Sequence, residues 1–202
     1  ATPSTISNLI SQCGWKGLLF APIAYLGISY MRKRNLSQIG HVQYRGNFIM
    51  VQATIDIKDT PLTKCIVLTN KDIYDDGTSF VFGLSEMNGD ISLVSTYYFP
   101  QEDIRSKLRI LKIITHEFGH TLGIEHCTSH KCIFGGVMSL NQLDSHPLLP
   151  CLEDCAKIAH ACGKTLRQQL QCFINACNKL NLAQDIPNEY NHIYGAIELL
   201  PE

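Results

Sequence analysis

His116, Glu117, His120 and His126 fall within the eleven residues His116-Glu117-Phe118-Gly119-His120-Thr121-Leu122-Gly123-Ile124-Glu125-His126. Two histidines four apart on a helix project side by side from one face, a spacing that lets both imidazoles reach one Zn²⁺ through bonds of about 2.0–2.1 Å. Glu117 stands one residue on, so it need not bind metal. Its carboxylate can take a proton from a water activated by the zinc, which is the second half of a hydrolytic reaction. Gly123 lets the chain turn sharply after the helix, so that His126 returns as a third neutral ligand and the fourth tetrahedral position stays open. A lone histidine on an apolar helix is more often a core residue than a ligand. Three in this register with a glycine between them, in a chain of eight histidines, point to a catalytic metal.

The full pattern H-E-x-x-H-x-x-G-x-x-H is the metzincin signature, whose companion is a methionine in a tight turn beneath the zinc. Met138, after Gly135-Gly136-Val137, is the candidate. Seven of the nine cysteines (Cys127, Cys132, Cys151, Cys155, Cys162, Cys172 and Cys177) follow residue 126, leaving only Cys13 and Cys65 before it. An odd number clustered beside histidines, in a chain long enough to bury its own core, points to thiolate metal ligation in a reducing, cytoplasmic compartment rather than to a disulfide framework. Cys127 and Cys132, then Cys151 and Cys155, form two close pairs that suit a closed structural zinc site.

H-E-x-x-H-x-x-G-x-x-H-C-x4-C with a later cysteine pair resembles the archaemetzincins, and so does FVFGLSEMNG at Phe80 to Gly89. The resemblance covers roughly residues 65 to 160. It implies a catalytic zinc on His116, His120 and His126 and a neighbouring zinc on Cys127, Cys132, Cys151 and Cys155. Three features depart from the family pattern. Phe134 stands where C-x-M has its methionine, and three residues rather than two separate Cys151 from Cys155. His130, between Cys127 and Cys132, is a competing ligand or a solvated loop residue.

The expected activity is peptide-bond hydrolysis, with Glu117 as general base and the same carboxylate passing the proton to the leaving amine. The expected partner is a peptide or protein substrate, lying extended against an edge of a hairpin over Phe80 to Thr96. Tyr97, Tyr98 and Tyr190 are candidates for a hydrogen bond to the oxyanion, with aromatic packing as their ordinary role. A zinc-stabilised binding module without turnover is the alternative, but a purely structural site has no use for Glu117. A zinc hydrolase acting on a small amide is a further alternative.

Several elements must position these groups. Phe48-Ile49-Met50-Val51 and Cys65-Ile66-Val67-Leu68-Thr69 are short apolar runs of the kind that form buried strands. Asn88-Gly89 joins two strand-like runs and predicts a β-hairpin, because both residues tolerate positive φ. From Gln101 to about Gly123 apolar residues recur at three- and four-residue steps, which predicts a helix carrying His116 and His120. A second helical region is expected from Leu152 to about Leu182, with a break at Gly163, and a looser tail from Pro187. Leu18 to Tyr30 is a buried strand or a short helix.

The fold class expected is α+β and metzincin-like. A mixed sheet and the zinc-binding helix fill an N-terminal subdomain of about residues 1–126, and a mainly helical C-terminal subdomain of about 127–202 carries a structural zinc, all in a single catalytic domain over 1–202. Seventeen basic residues against eighteen acidic ones give a net charge of −1, which provides no footprint for nucleic acid; Arg32-Lys33-Arg34 is too short a cluster to change that. The run from Leu18 to Tyr30 is shorter than the roughly 20 residues a bilayer needs, so no membrane span is expected. The sequence starts at Ala1 with no small-residue cleavage pattern behind an apolar core, so no secretory signal is expected either.

Overall fold

The computed structural model describes residues 33–36, 41–57, 64–99 and 103–201. The expected strand or helix at residues 18–30 lies outside them, as does Cys13.

Strands β1 (Lys33–Leu36) and β2 (His41–Arg45) pair antiparallel. Helix α1 (Gly46–Ile57) follows, then β3 (Cys65–Thr69) and β4 (Ile73–Tyr74), the latter joining β2 in parallel. Strand β5 (Gly83–Ser85) turns back into β6 (Ile91–Ser95), and β6 also pairs in parallel with β3, so the second sheet has the order β3-β6-β5. Leu84 faces Leu93 and Ser85 faces Ser92 across the hairpin. Asn88 takes the positive φ of 56° that the turn requires, as its small polar side chain permits. All five residues of β6 are buried, because the sheet is covered on both faces.

The run 48–51, expected as a strand, is instead part of α1. Ile49 and Ala53, one turn apart, bury against Val67, Ile73 and Leu93, while Val51 and Ile55 are 59% and 53% exposed. An apolar run four residues long fits either period, and here the buried pair at i and i+4 is helical. The run 65–69 is the strand expected.

Helix α2 (Ile104–Thr121) begins at Asp103, whose side chain accepts from Ser106 N at 2.7 Å. This N-cap satisfies one orphan amide and typically contributes about 1 kcal/mol. Ile113, Ile114 and Phe118 form the apolar face of α2 and pack on Ile66, Phe82 and Val94 of the sheet side. The opposite end of the fold is helical: α3 (Leu140–Ser145), α4 (Leu152–Ala161), α5 (Leu166–Lys179) and α6 (Pro187–Leu199). Gly163, at φ 63°, breaks the chain between α4 and α5, and a capping box between Thr165 and Gln168 starts α5. Residues from Pro187 form a helix rather than a looser tail. Proline sits there in the first turn, where its missing N–H costs nothing, and Ile193 and Ile197 bury against a core that includes Leu170 and Ile174. Each such side chain gains about 1.5–3 kcal/mol from burial. Among the described residues no helix is long and apolar enough to cross a membrane.

Candidate functional site

His116 and His120 lie in the last turns of α2, on the side facing the loop that follows. The helix ends because Gly123 adopts φ 82°, and its N–H donates to His120 O at 3.0 Å while Ile124 N–H donates to Gly119 O at 3.1 Å. Any Cβ at residue 123 would stand 2.3 Å from Asn88 Oδ1, and Asn88 N–H itself donates to His120 O at 3.0 Å. The hairpin turn thus packs on the end of the helix, and only glycine fits between them. The reversal brings His126 back, so that the ring centroid of His126 lies 5.2 Å from that of His116 and 4.9 Å from that of His120.

The reversal also orients the imidazoles. Ile124 O accepts from His120 Nδ1 at 2.6 Å, and Ile133 O accepts from His116 Nδ1 at 2.8 Å. Carbonyl oxygens can only accept, so both Nδ1 atoms carry the hydrogen and both Nε2 atoms present bare lone pairs. These two Nε2 atoms stand 3.0 Å apart. Burial, despite the Ile133 hydrogen bond, pushes His116 down to about 4 and His120 down as well, so no proton bridges them at neutral pH. Two converging lone pairs repel unless a cation lies between them, and donor atoms of His116, His120 and His126 all fall within 4.8 Å of one another. The residues therefore fit a zinc ion with imidazole ligands.

Glu117 is 9% exposed and its Oε2 accepts from Ser85 Oγ on β5. Burial pushes it up to about 7, against the opposing effect of the Ser85 hydrogen bond. Gly83, also on β5, leaves room for this side chain, since a Cβ there would stand 2.6 Å from Glu117 Cγ. A cleft of about 500 Å³ runs beside the group, lined by Phe80, Gly83, His116, Glu117, His126 and Val137 among others. Lys112 closes one side, its Nζ donating to Leu143 O at 3.0 Å and His146 O at 2.5 Å.

Met138 does not lie beneath the histidines. It is 83% exposed, and its N–H donates to Gln142 Oε1 at 2.7 Å as α3 begins. Phe134 is fully buried instead, with its ring 6.0 Å from that of His116 and 6.3 Å from that of His120. Gly119 makes room for it, because a Cβ there would stand 2.0 Å from Phe134 Cε1. None of the three tyrosines singled out from the sequence lines the cleft. Tyr98 packs against Phe80 and Phe82, Tyr97 meets the Tyr98 ring edge-on, and Tyr190 donates to Asn178 Oδ1 at 2.9 Å among the C-terminal helices.

Donor atoms of Cys127, Cys132, Cys151 and Asp154 form a second group, again within 4.8 Å of one another. Cys155 is not among them, and its thiol donates to Pro150 O at 3.6 Å. His130 turns towards Glu153, 4.0 Å away on the surface. Sequence reasoning missed Ser85, Gly83 and Asp154; the first two belong to the FVFGLSEMNG stretch, which was weighed as a strand region, as a resemblance and as a substrate edge, but not residue by residue.

Residues 47–161 match the model of peptidase family M54. The chain is 34% identical to the archaemetzincin of Archaeoglobus fulgidus over 101 residues, covering 50% of this chain and 62% of that protein. It is 36% identical to the archaemetzincin of Methanocaldococcus jannaschii over 109 residues, covering 50% and 59%. The matched stretch thus spans about 60% of the length of these curated relatives. The crystal structure of the Archaeoglobus fulgidus protein superposes with a TM-score of 0.58 at 25% identity, covering 78% of this chain and 94% of that one. That of the Methanopyrus kandleri protein gives 0.52 at 26%, covering 64% and 67%.

Proposed function

The chain belongs to peptidase family M54, and on that premise we propose that it is a zinc-dependent metallopeptidase, with zinc held by His116, His120 and His126 and Glu117 as general base. One observation carries the reading: two neutral imidazoles aim bare Nε2 atoms at each other 3.0 Å apart, with a third imidazole alongside and a buried carboxylate on the next residue. Zinc, when bound, supplies a Lewis acid that makes water a stronger acid and carries negative charge as it develops.

The chain's own residues do the rest. Ser85 holds Glu117 Oε2, leaving Oε1 free to take a proton from the attacking water and return it to the leaving amine. Strand β5 is the edge of its sheet, so an extended peptide can add alongside it, in register with the cleft, through backbone hydrogen bonds that are indifferent to side chains. Phe80, Val81, Ile113 and Val137 give the cleft an apolar wall that suits an apolar side chain next to the scissile bond.

We place a second, structural zinc at the thiol cluster. Three sulfur donors there are soft ligands of the kind that select zinc, and a reducing compartment keeps them available.

A mixed peptide library tests the activity. Cleavage that stops when a chelator strips the metal and returns with added zinc is the expected result. Protein carrying zinc on its three histidines that binds peptides without cleaving any would instead establish the binding-module reading.

A further inference from the structure

Asp154 is 1% exposed, and its two oxygens have different partners. Oδ1 accepts from Lys157 Nζ at 2.8 Å, whereas Oδ2 accepts from the thiols of Cys132 at 3.2 Å and Cys151 at 3.4 Å. Three sulfurs and one carboxylate oxygen converge, a set of four donors that a tetrahedral cation takes. Cys155 follows one residue later on α4, and the helix turns its side chain about 100° away. It is fully buried in the C-terminal apolar core with Leu148, Leu170 and Cys177. Cys132 packs in a different cluster, with Ile124, Phe134 and Ile158.

We infer that Asp154, and not Cys155, is the fourth ligand of the second metal site, which is completed by Cys127, Cys132 and Cys151. The inference rests on the two-zinc reading above. Three thiolates and a carboxylate around a dication leave a net charge of −2, and two features of α4 offset it. Lys157 holds the outer oxygen of Asp154 and also reaches Glu153 Oε1 at 3.1 Å, and Asp154 lies in the first turn, where the helix dipole favours negative charge. Oδ1 is thereby committed to Lys157, so the carboxylate offers a single oxygen inward. This outer contact fixes the ligand's orientation in the way outer-shell partners of metal ligands do.

Cobalt(II) substituted for zinc in the full chain tests this without any assay of activity. Thiolate ligands give near-ultraviolet charge-transfer absorption whose intensity grows with their number, and the three-histidine site adds none. Two cobalt ions per chain with the intensity of three thiolates are expected. Cys155→Ala should leave both unchanged, and Asp154→Ala should weaken the second site at least roughly tenfold while keeping the thiolate band of whatever metal still binds. A four-thiolate band that drops by about a quarter in Cys155→Ala would overturn the assignment and leave the second metal in place. Uptake of a single cobalt with no thiolate band would overturn the two-zinc reading and Asp154 with it. Should Asp154→Ala fail to fold, the parent's thiolate count and Cys155→Ala still decide.

Discussion

The carbonyl of Ile133 accepts the Nδ1 hydrogen of His116 at 2.8 Å, and Ile133 is the residue after Cys132. The loop that carries Cys127 and Cys132 therefore also sets the tautomer and ring orientation of His116. Cys127 N–H donates to Phe134 O at 3.0 Å, which closes the same loop beneath the imidazoles.

Replacing both Cys127 and Cys132 by serine should accordingly weaken zinc at the three histidines, although neither cysteine touches it. Loss of an outer partner of a metal ligand typically costs about 10- to 100-fold in affinity. Competition against a chelator of known affinity measures this, and an unchanged affinity for the first zinc would show that the two sites are independent.

Glu117 is held from β5 by Ser85 and given room by Gly83. Ser85→Ala should lower kcat about tenfold, the value of a hydrogen bond to a charged group. Gly83→Ala should cost more, on the order of 10²-fold, because the added methyl displaces the carboxylate itself. Zinc content should stay at the parent level in both. A change confined to KM would mean that β5 serves substrate binding and not the base.

Gly123→Ala places a β-carbon at φ 82° and against Asn88. Destabilisation of at least about 1 kcal/mol is expected, with weaker zinc binding because His126 is displaced. A variant that keeps the parent Tm and zinc affinity would show that the helix end tolerates another route for His126.

Arg109 Nε and Nη2 donate to Asp144 Oδ1 and Oδ2 at 2.7 and 2.6 Å, tying α2 to α3. The Arg109 guanidinium holds the Asp144 carboxyl below its ordinary 3.8, although partial burial opposes it. A depressed folded value gives stability that is present at neutral pH and lost as the pH falls through the carboxylate range. Asp144 is 35% exposed, so the contribution at pH 7 is at most about 1 kcal/mol. Denaturant unfolding of the parent and Asp144→Asn should differ at pH 7 and converge towards pH 3. A gap that widens on acidification would contradict the pairing.

Much of the site was legible because its signals are local. The 3.6-residue period marks α2, Gly123 marks its end, and Asn88 marks the hairpin that packs on that end. The run 48–51 was misread because four apolar residues carry no period. Pro187 was read as a breaker although it is also the best first residue of a helix. Asp154 was missed for a different reason, and Phe134 was noted only as a departure from the family pattern. Met138 offered a methionine near the expected position, and Cys155 offered a sulfur, so residue type pointed to both. Only packing separates them from Phe134 and Asp154: Met138 is on the surface and Cys155 in another core.

The central claim is that Glu117 is the base of a zinc peptidase, and Glu117→Ala tests it most directly. The change leaves His116, His120 and His126 with their carbonyl partners, so one zinc should remain on them. Loss of a general base costs about 10² to 10⁴ in rate, and this carboxylate also returns the proton, so kcat for peptide cleavage should fall towards the upper end of that range. Cleavage at close to the parent rate, with zinc still bound to the three histidines, would contradict the account.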